Sequence, residues 1–241
     1  MMLGQLSVFA IALALVVLVL GLKVFSSMPG LFWGHIVSML TCWFLAVSAS
    51  VTYVLSSSLQ PQWSLESRKK ARVLHGMLMS LALVAAIVGY YCIFENHAEM
   101  GASQFGLDPG NPPARVVHAM AGHFLVLCMI LQAYQGLAKF IKLQGVQSEL
   151  LAKLGSIVPA HALRGKVLVP LMGLNAAIVV TVMPGMTTLQ FATMEGGLLG
   201  ASLLAAWLAG QRPASARETQ SRVADSSDGY VPLSAADTAE Q

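Results

Sequence analysis

The chain predicts an all-α membrane protein of six transmembrane helices, with helices two to five forming a central four-helix bundle. Three observations lead there. With 56% apolar residues, 10% charged residues and a mean hydropathy of +0.69, the 241 residues hold too little polar surface for a soluble globule of that length. Six apolar segments reach the roughly 20 residues that a helix needs to cross a hydrocarbon core of about 30 Å: residues 5–25, 31–55, 73–94, 115–138, 158–183 and 187–210. Finally, His35, His75, His118 and His161 fall one each near the starts of segments two to five.

Segment one has an apolar run too long for a signal-peptide core and no small-residue cleavage pattern after it, so it reads as a retained helix. Pro29 and Gly30 stop one helix and start the next. Segment two carries His35 and Cys42, and segment three follows the basic lead-in Arg68-Lys69-Lys70-Ala71-Arg72 and carries His75. The third loop, from Glu95 to Pro113, contains the turn formers Asp108-Pro109-Gly110-Asn111-Pro112-Pro113 and is the main structure expected on the outer face. His97 belongs to that loop, near Glu95, Glu99 and Asp108, a group that could attract ferric complexes by charge; a solvated loop explains it equally well.

Segment four holds His118 and His123. The loop after it carries Lys139, Lys142 and Lys153 and is expected to continue as a short interfacial helix. Segment five contains Pro170, which should kink it, and segment six contains Glu195. From Gln211 the composition changes to Ser, Ala, Asp, Glu and Thr, as in disordered chains. The domain organisation is therefore a transmembrane domain, 1–210, and a disordered cytoplasmic tail, 211–241. The tail contains Tyr230-Val231-Pro232-Leu233, which resembles tyrosine-based sorting signals of endosomal and lysosomal membrane proteins; a pattern so short arises more often by chance.

Alternating helices put all but Lys23 and Arg115 of the 14 Lys and Arg residues on one side. The positive-inside rule makes that side, with both termini, cytoplasmic. His35 and His118 then share the outer face, and His75 and His161 the cytoplasmic one. Cys42, Cys92 and Cys128 lack the loop setting of a structural disulfide. No C-x-x-C-H occurs, which excludes covalent haem attachment by that motif. There is no phosphate-binding glycine loop, and the cations track topology, so neither hydrolytic or nucleotide chemistry nor nucleic-acid binding has support.

The four histidines have the ligand arithmetic of two six-coordinate haems stacked across a membrane, each clamped by imidazoles from two helices. One membrane histidine alone is more often a packed side chain bonded to a neighbouring helix. Four at matched depth and correct alternation favour ligation, since intramembrane ionisable groups are costly. Gly122 and Gly165 lie one turn after His118 and His161, and Gly34 and Gly76 adjoin His35 and His75; bare backbone there would admit a porphyrin edge. His-x-x-x-Gly recurs in segments four and five, too short a pattern for a duplication. The two irons would stand roughly 15 to 20 Å apart along the membrane normal. His123 is rotated about 140° from His118 and should not face the same haem squarely. It matches Glu195 in depth, so the two could pair in a buried proton pathway or make separate structural hydrogen bonds.

The six-helix plan, the lead-in to His75, His118-x-x-x-Gly122 and Pro159-Ala160-His161-x-x-x-Gly165 resemble the cytochrome b561 family over residues 5–210. The resemblance implies two haem b groups per chain, an outer one on His35 and His118 and a cytoplasmic one on His75 and His161. It further implies an ascorbate-dependent transmembrane oxidoreductase passing electrons from cytoplasmic ascorbate to monodehydroascorbate or ferric iron on the opposite face. Lys69, Lys70 and Arg72, with Arg164 from the facing helix, are the ascorbate-binding residues so implied; as positive-inside anchors they need no ligand. A homodimer follows from the resemblance, and an endosomal, lysosomal or vacuolar membrane is the expected location. Ile36 and Ala119 stand where members often have proline and serine. Two alternatives remain open: a di-haem carrier with a quinol or protein donor, and a haem-free scaffold or transporter with structural or substrate-binding histidines.

Overall fold

Inside hydrocarbon every backbone N–H and C=O must be bonded within its own segment, which leaves the six apolar runs only the helix. The computed structural model describes residues 2–57, 65–143, 161–183 and 186–211. Among them the chain forms α1 (Met2–Val24), α2 (Gly30–Ser57), α3 (Leu65–Met100), α4 (Pro113–Leu143), α5 (His161–Val180) and α6 (Thr188–Gly210). All six are long and apolar enough to cross a membrane, and all belong to one unit, Met1–Gly210. Lys139 and Lys142, expected in the loop, are on α4; Lys153, the interfacial helix expected there and the tail motif at Tyr230 lie outside the described residues.

Local chemistry sets the helix ends. α3, with 36 residues, is longer at both ends than hydropathy predicts. Its first turns are charged rather than apolar, but Glu66 and Lys70 pair at 2.9 Å across one turn, the i,i+4 spacing that suits a helix. At the other end it continues through His97 and stops at Gly101, whose φ of 62° is the left-handed conformation that only glycine adopts cheaply. Gly101 N–H donates to Ala98 O at 3.2 Å and Ala102 N–H to His97 O at 2.9 Å, the paired bonds of a Schellman cap. His97 is therefore on the last turn of α3, not in the loop.

α4 starts on Pro113, a residue suited to a first turn because its missing N–H has no partner there anyway. α6 starts with a capping box: Gln190 N–H donates to Thr187 Oγ1 at 3.2 Å, and Thr187 N–H to Gln190 Oε1 at 2.9 Å. α5 is one continuous helix through Pro170, so the expected kink does not break it.

α2 packs on α3, α3 on α4, α4 on α5 and α5 on α2, closing a ring of four. No backbone approach joins the diagonals α2–α4 or α3–α5 among the described residues. α6 lies outside the ring against α5 and α2, and α1 covers α6 and α2. That outer seam is made of small residues: Ala10 and Ala14 of α1 meet Ala201 and Ala205 of α6 in one buried cluster, and Val17 fills the space a side chain at Gly197 would take. Association between membrane helices depends on such close approach because lipid offers no hydrophobic driving force. Trp43 Nε1–H donates to Ser202 Oγ at 2.7 Å, tying α2 to α6.

A second buried cluster sits inside the ring: Cys42 from α2, Ala82 and Ala86 from α3, Leu125 and Met129 from α4, and Leu168 from α5. Cys42, Ala82, Leu125 and Leu168 each follow their own helix's histidine by seven residues, two helical turns. Because the helices alternate in direction, two turns inward from either face reach the same layer. The histidine levels thus stand roughly 10 Å to either side of an apolar septum.

Candidate functional site

Three of the four histidines are fixed in one way. His35 Nδ1–H donates to Gly89 O on α3, His75 Nδ1–H to Ala49 O on α2, and His118 Nδ1–H to Asn175 O on α5, each at 2.9 Å. A carbonyl can only accept, so in each ring Nδ1 carries the proton and the lone pair is on Nε2. Helix carbonyls serve this purpose well because their second lone pair remains available after the helix bond is made. The orientation and tautomer are those that a metal-ligating imidazole needs.

The three bonds share a register. Ala49 lies 14 residues after His35, Gly89 lies 14 after His75, and Asn175 lies 14 after His161. Within each neighbouring pair of antiparallel helices, a histidine therefore faces the residue 14 beyond its partner's histidine. Fourteen residues span about 21 Å of helix, which is the separation of the two histidine levels and agrees with the septum midway between them.

Across the diagonal, the His35 and His118 ring centres stand 6.4 Å apart with their planes at 82°. Two imidazoles gripping one metal ion from opposite sides, with metal–nitrogen lengths of about 2.0 Å, hold their ring centres roughly 6 Å apart. Among the described residues no three His, Cys, Asp or Glu side chains converge on one point. Two facing imidazoles would suit a group that brings its other ligands with it, as a macrocycle does. A cavity of about 600 Å³ surrounds the pair, lined by His35 and His118 together with Ile36, Met39, Phe94 and Gly122.

The cavity runs outward to His97, Asp108, Asn111 and Arg115. Asp108 accepts the Ser103 N–H through both carboxylate oxygens, at 2.9 and 3.1 Å, and Asn111 donates to Gly106 O at 3.1 Å, so the loop over its mouth is built rather than slack. His97 presents a buried Nδ1 without a hydrogen-bond partner. His123 also lines the cavity, which reaches past the His118 face. Its ring lies 4.8 Å from Phe105 and 5.3 Å from Tyr90, and Nδ1–H donates to Ala119 O at 2.7 Å. Among the described residues those are its ring and hydrogen-bond contacts, and Glu195 is not one of them.

At the other histidine level His75 and Lys139 are both near enough to His161 to act on it electrostatically. Gly136 of α4 faces the His161 ring so closely that a Cβ there would lie 3.1 Å from Cε1. Gln132 Nε2–H donates to the His161 backbone carbonyl at 2.7 Å. Lys69, Lys70 and Arg164 are exposed and Arg72 is half-buried. Lys70 already pairs with Glu66, a contact of little worth at such exposure.

The glycines divide. Gly122 lines the cavity, and nothing lies within 4 Å of a Cβ built on Gly76, so both leave room beside a histidine. A Cβ on Gly34 would meet Cys92 Sγ at 2.9 Å, and one on Gly165 would meet Gln132 Nε2 at 3.2 Å. Those two serve helix packing and the Gln132 amide rather than a porphyrin edge. Gly89, Gly136, Gln132, Lys139 and Asn175 escape a reading of the sequence because each matters only through a residue on a neighbouring helix.

A family model described as eukaryotic cytochrome b561 matches residues 33–192, which contain all four histidines. No curated protein and no solved structure matches the chain.

Proposed function

Because the chain belongs to the eukaryotic cytochrome b561 family, haem-based transmembrane electron transfer is its activity, and we propose that it holds two haem b groups. One is held by His35 and His118, the other by His75 and His161. The observation that carries this reading is the His35–His118 pair, 6.4 Å between ring centres across a diagonal that the helix backbones leave open. When bound, each haem supplies an iron that takes up and releases one electron at a time.

The chain's own residues bind, orient and insulate. The carbonyls of Gly89, Ala49 and Asn175 hold three imidazoles by Nδ1–H, which puts the lone pair on Nε2. The packed layer at Cys42, Ala82, Leu125 and Leu168 keeps the two sites apart. Electrons enter from cytoplasmic ascorbate, an anion drawn to the basic surface that contains Lys69, Lys70, Arg72 and Arg164, to which Lys139 adds a further cation. They leave to monodehydroascorbate or a ferric complex at the mouth of the outer cavity, where Arg115, Asp108 and His97 supply charge and hydrogen-bonding groups. Both termini are cytoplasmic on this reading, and the assembly is a homodimer in an endosomal, lysosomal or vacuolar membrane.

The test is a haem count and optical spectrum of the purified protein before and after ascorbate. Two b haems per chain, both reduced, are expected. His35→Ala and His118→Ala should each remove one and the same haem, and His75→Ala and His161→Ala the other. Losses that cross those pairs overturn the assignment, and haems that stay oxidised in ascorbate transfer the donor role to a quinol or a protein.

A further inference from the structure

Among the described residues four imidazoles line the outer cavity, and the pair at His35 and His118 accounts for two of them. The others are His97, on the last turn of α3, and His123, five residues beyond His118 on α4. His123 sits where a ring can gain and lose a charge in place. Its Nδ1–H donates to Ala119 O at 2.7 Å, a bond that survives protonation because Nδ1 carries hydrogen in both the neutral and the charged ring. Only Nε2 changes state, so the ring need not turn. Tyr90 of α3 stands perpendicular to it at 5.3 Å, and Phe105 of the loop lies tilted beside it at 4.8 Å; aromatic rings at such distances attract a cation. The cavity continues to its mouth at Asp108 and Arg115, which gives protons a way in from the outer solution.

We propose that His123 is the proton partner of the outer haem. An electron arriving at that level is matched by a proton from the outer solution on His123 Nε2; when the acceptor takes the electron, the proton passes to the acceptor or back to the outer solution. The inference rests on the reading of His35 and His118 as haem ligands. Its cause is electrostatic: an added electron draws a proton more strongly to a basic nitrogen in the same low-dielectric cavity, and by reciprocity the protonated ring makes reduction easier. The other titratable or charged side chains on this cavity, besides the ligand pair, are Tyr90 and His97 from α3, Asp108 from the loop and Arg115 from α4. Among the described residues α5 and α6 present only apolar side chains to it. Imidazole is the side chain that changes charge near neutral pH, which makes His97 the one rival.

Optical redox titration of the purified full chain in detergent, repeated across neutral pH, tests this. The outer haem is the one that His35→Ala and His118→Ala both remove. In wild type its midpoint potential should rise as pH falls, because protonated His123 favours reduction. His123→Gln, which keeps a polar side chain, and His123→Phe, which keeps a ring, should both flatten that slope and leave the other haem's slope unchanged. A pH-indicator dye in weak buffer should report protons taken up as the outer haem is reduced, and both variants should lose that uptake. His97→Gln leaves His123 as the one cavity imidazole outside the ligand pair and should keep slope and uptake, an arm that holds even where a His123 variant fails to fold. A wild-type outer haem whose potential ignores pH overturns the proposal. Wild-type slope and uptake in the His123 variants overturn it too, as does loss of both in His97→Gln. If His35→Ala and His118→Ala remove different haems, the ligand reading fails, and this inference with it.

Discussion

At the scale of single residues, what holds each histidine makes a sharp prediction. His118 is held by the main-chain carbonyl of Asn175, so Asn175→Ala should leave the haem content at its wild-type value. Gly136→Val should not. Its Cβ would already crowd His161 Cε1 at 3.1 Å, and the added methyls must push the ring off its position. Displaced ligands typically weaken metal binding about 10- to 100-fold, so haem per chain should fall from two to one, with the outer haem retained; a pyridine haemochrome assay reads both variants. The histidines themselves were legible from spacing, because helix alternation sorts them by face without knowledge of any contact. Gly136 and Gln132 were not, because nothing in α4 alone distinguishes a glycine beside a ligand from one beside lipid. The register of 14 becomes visible only when two antiparallel helices are laid together.

At the scale of elements, hydropathy found all six helices and misjudged where they end. Charged residues such as Glu66 and Lys70 end an apolar run but not a helix, and Glu95 to Met100 continue α3 until Gly101 supplies the left-handed stop. His97, on that last turn, lines the cavity around His35 and His118. How α6 docks was equally hidden. It rests on a glycine and a hydroxyl: a Cβ on Gly173 of α5 would meet Ser202 Oγ and, at 2.8 Å, the Leu198 carbonyl. Ser202→Ala removes the acceptor of the buried Trp43 indole N–H and should cost about 1–3 kcal/mol. Gly173→Leu asks backbone to move and should cost more, since overpacking alone commonly costs about 1–3 kcal/mol. Thermal unfolding in detergent, followed by helical circular dichroism, should rank wild type, Ser202→Ala and Gly173→Leu in that order.

At the scale of the whole molecule, the two histidine levels sit on opposite sides of one apolar layer, Cys42, Ala82, Leu125 and Leu168, sealed at its centre by Cys42 Sγ–H donating to Met129 Sδ at 3.8 Å. Electrons tunnel through such a layer, whereas protons and hydrated ions need polar steps that these side chains do not offer. Each electron that crosses is therefore a net current, and the membrane around the protein behaves as a capacitor being charged. Moving one charge against 100 mV costs about 2.3 kcal/mol, so a sealed vesicle loaded with ascorbate and given an external acceptor should stall after its first turnovers. An ionophore that lets cations follow should restore the rate. A membrane that employs this protein must accordingly hold a second route for charge, and the speed of the electron carrier is set in part by the conductance of its neighbours.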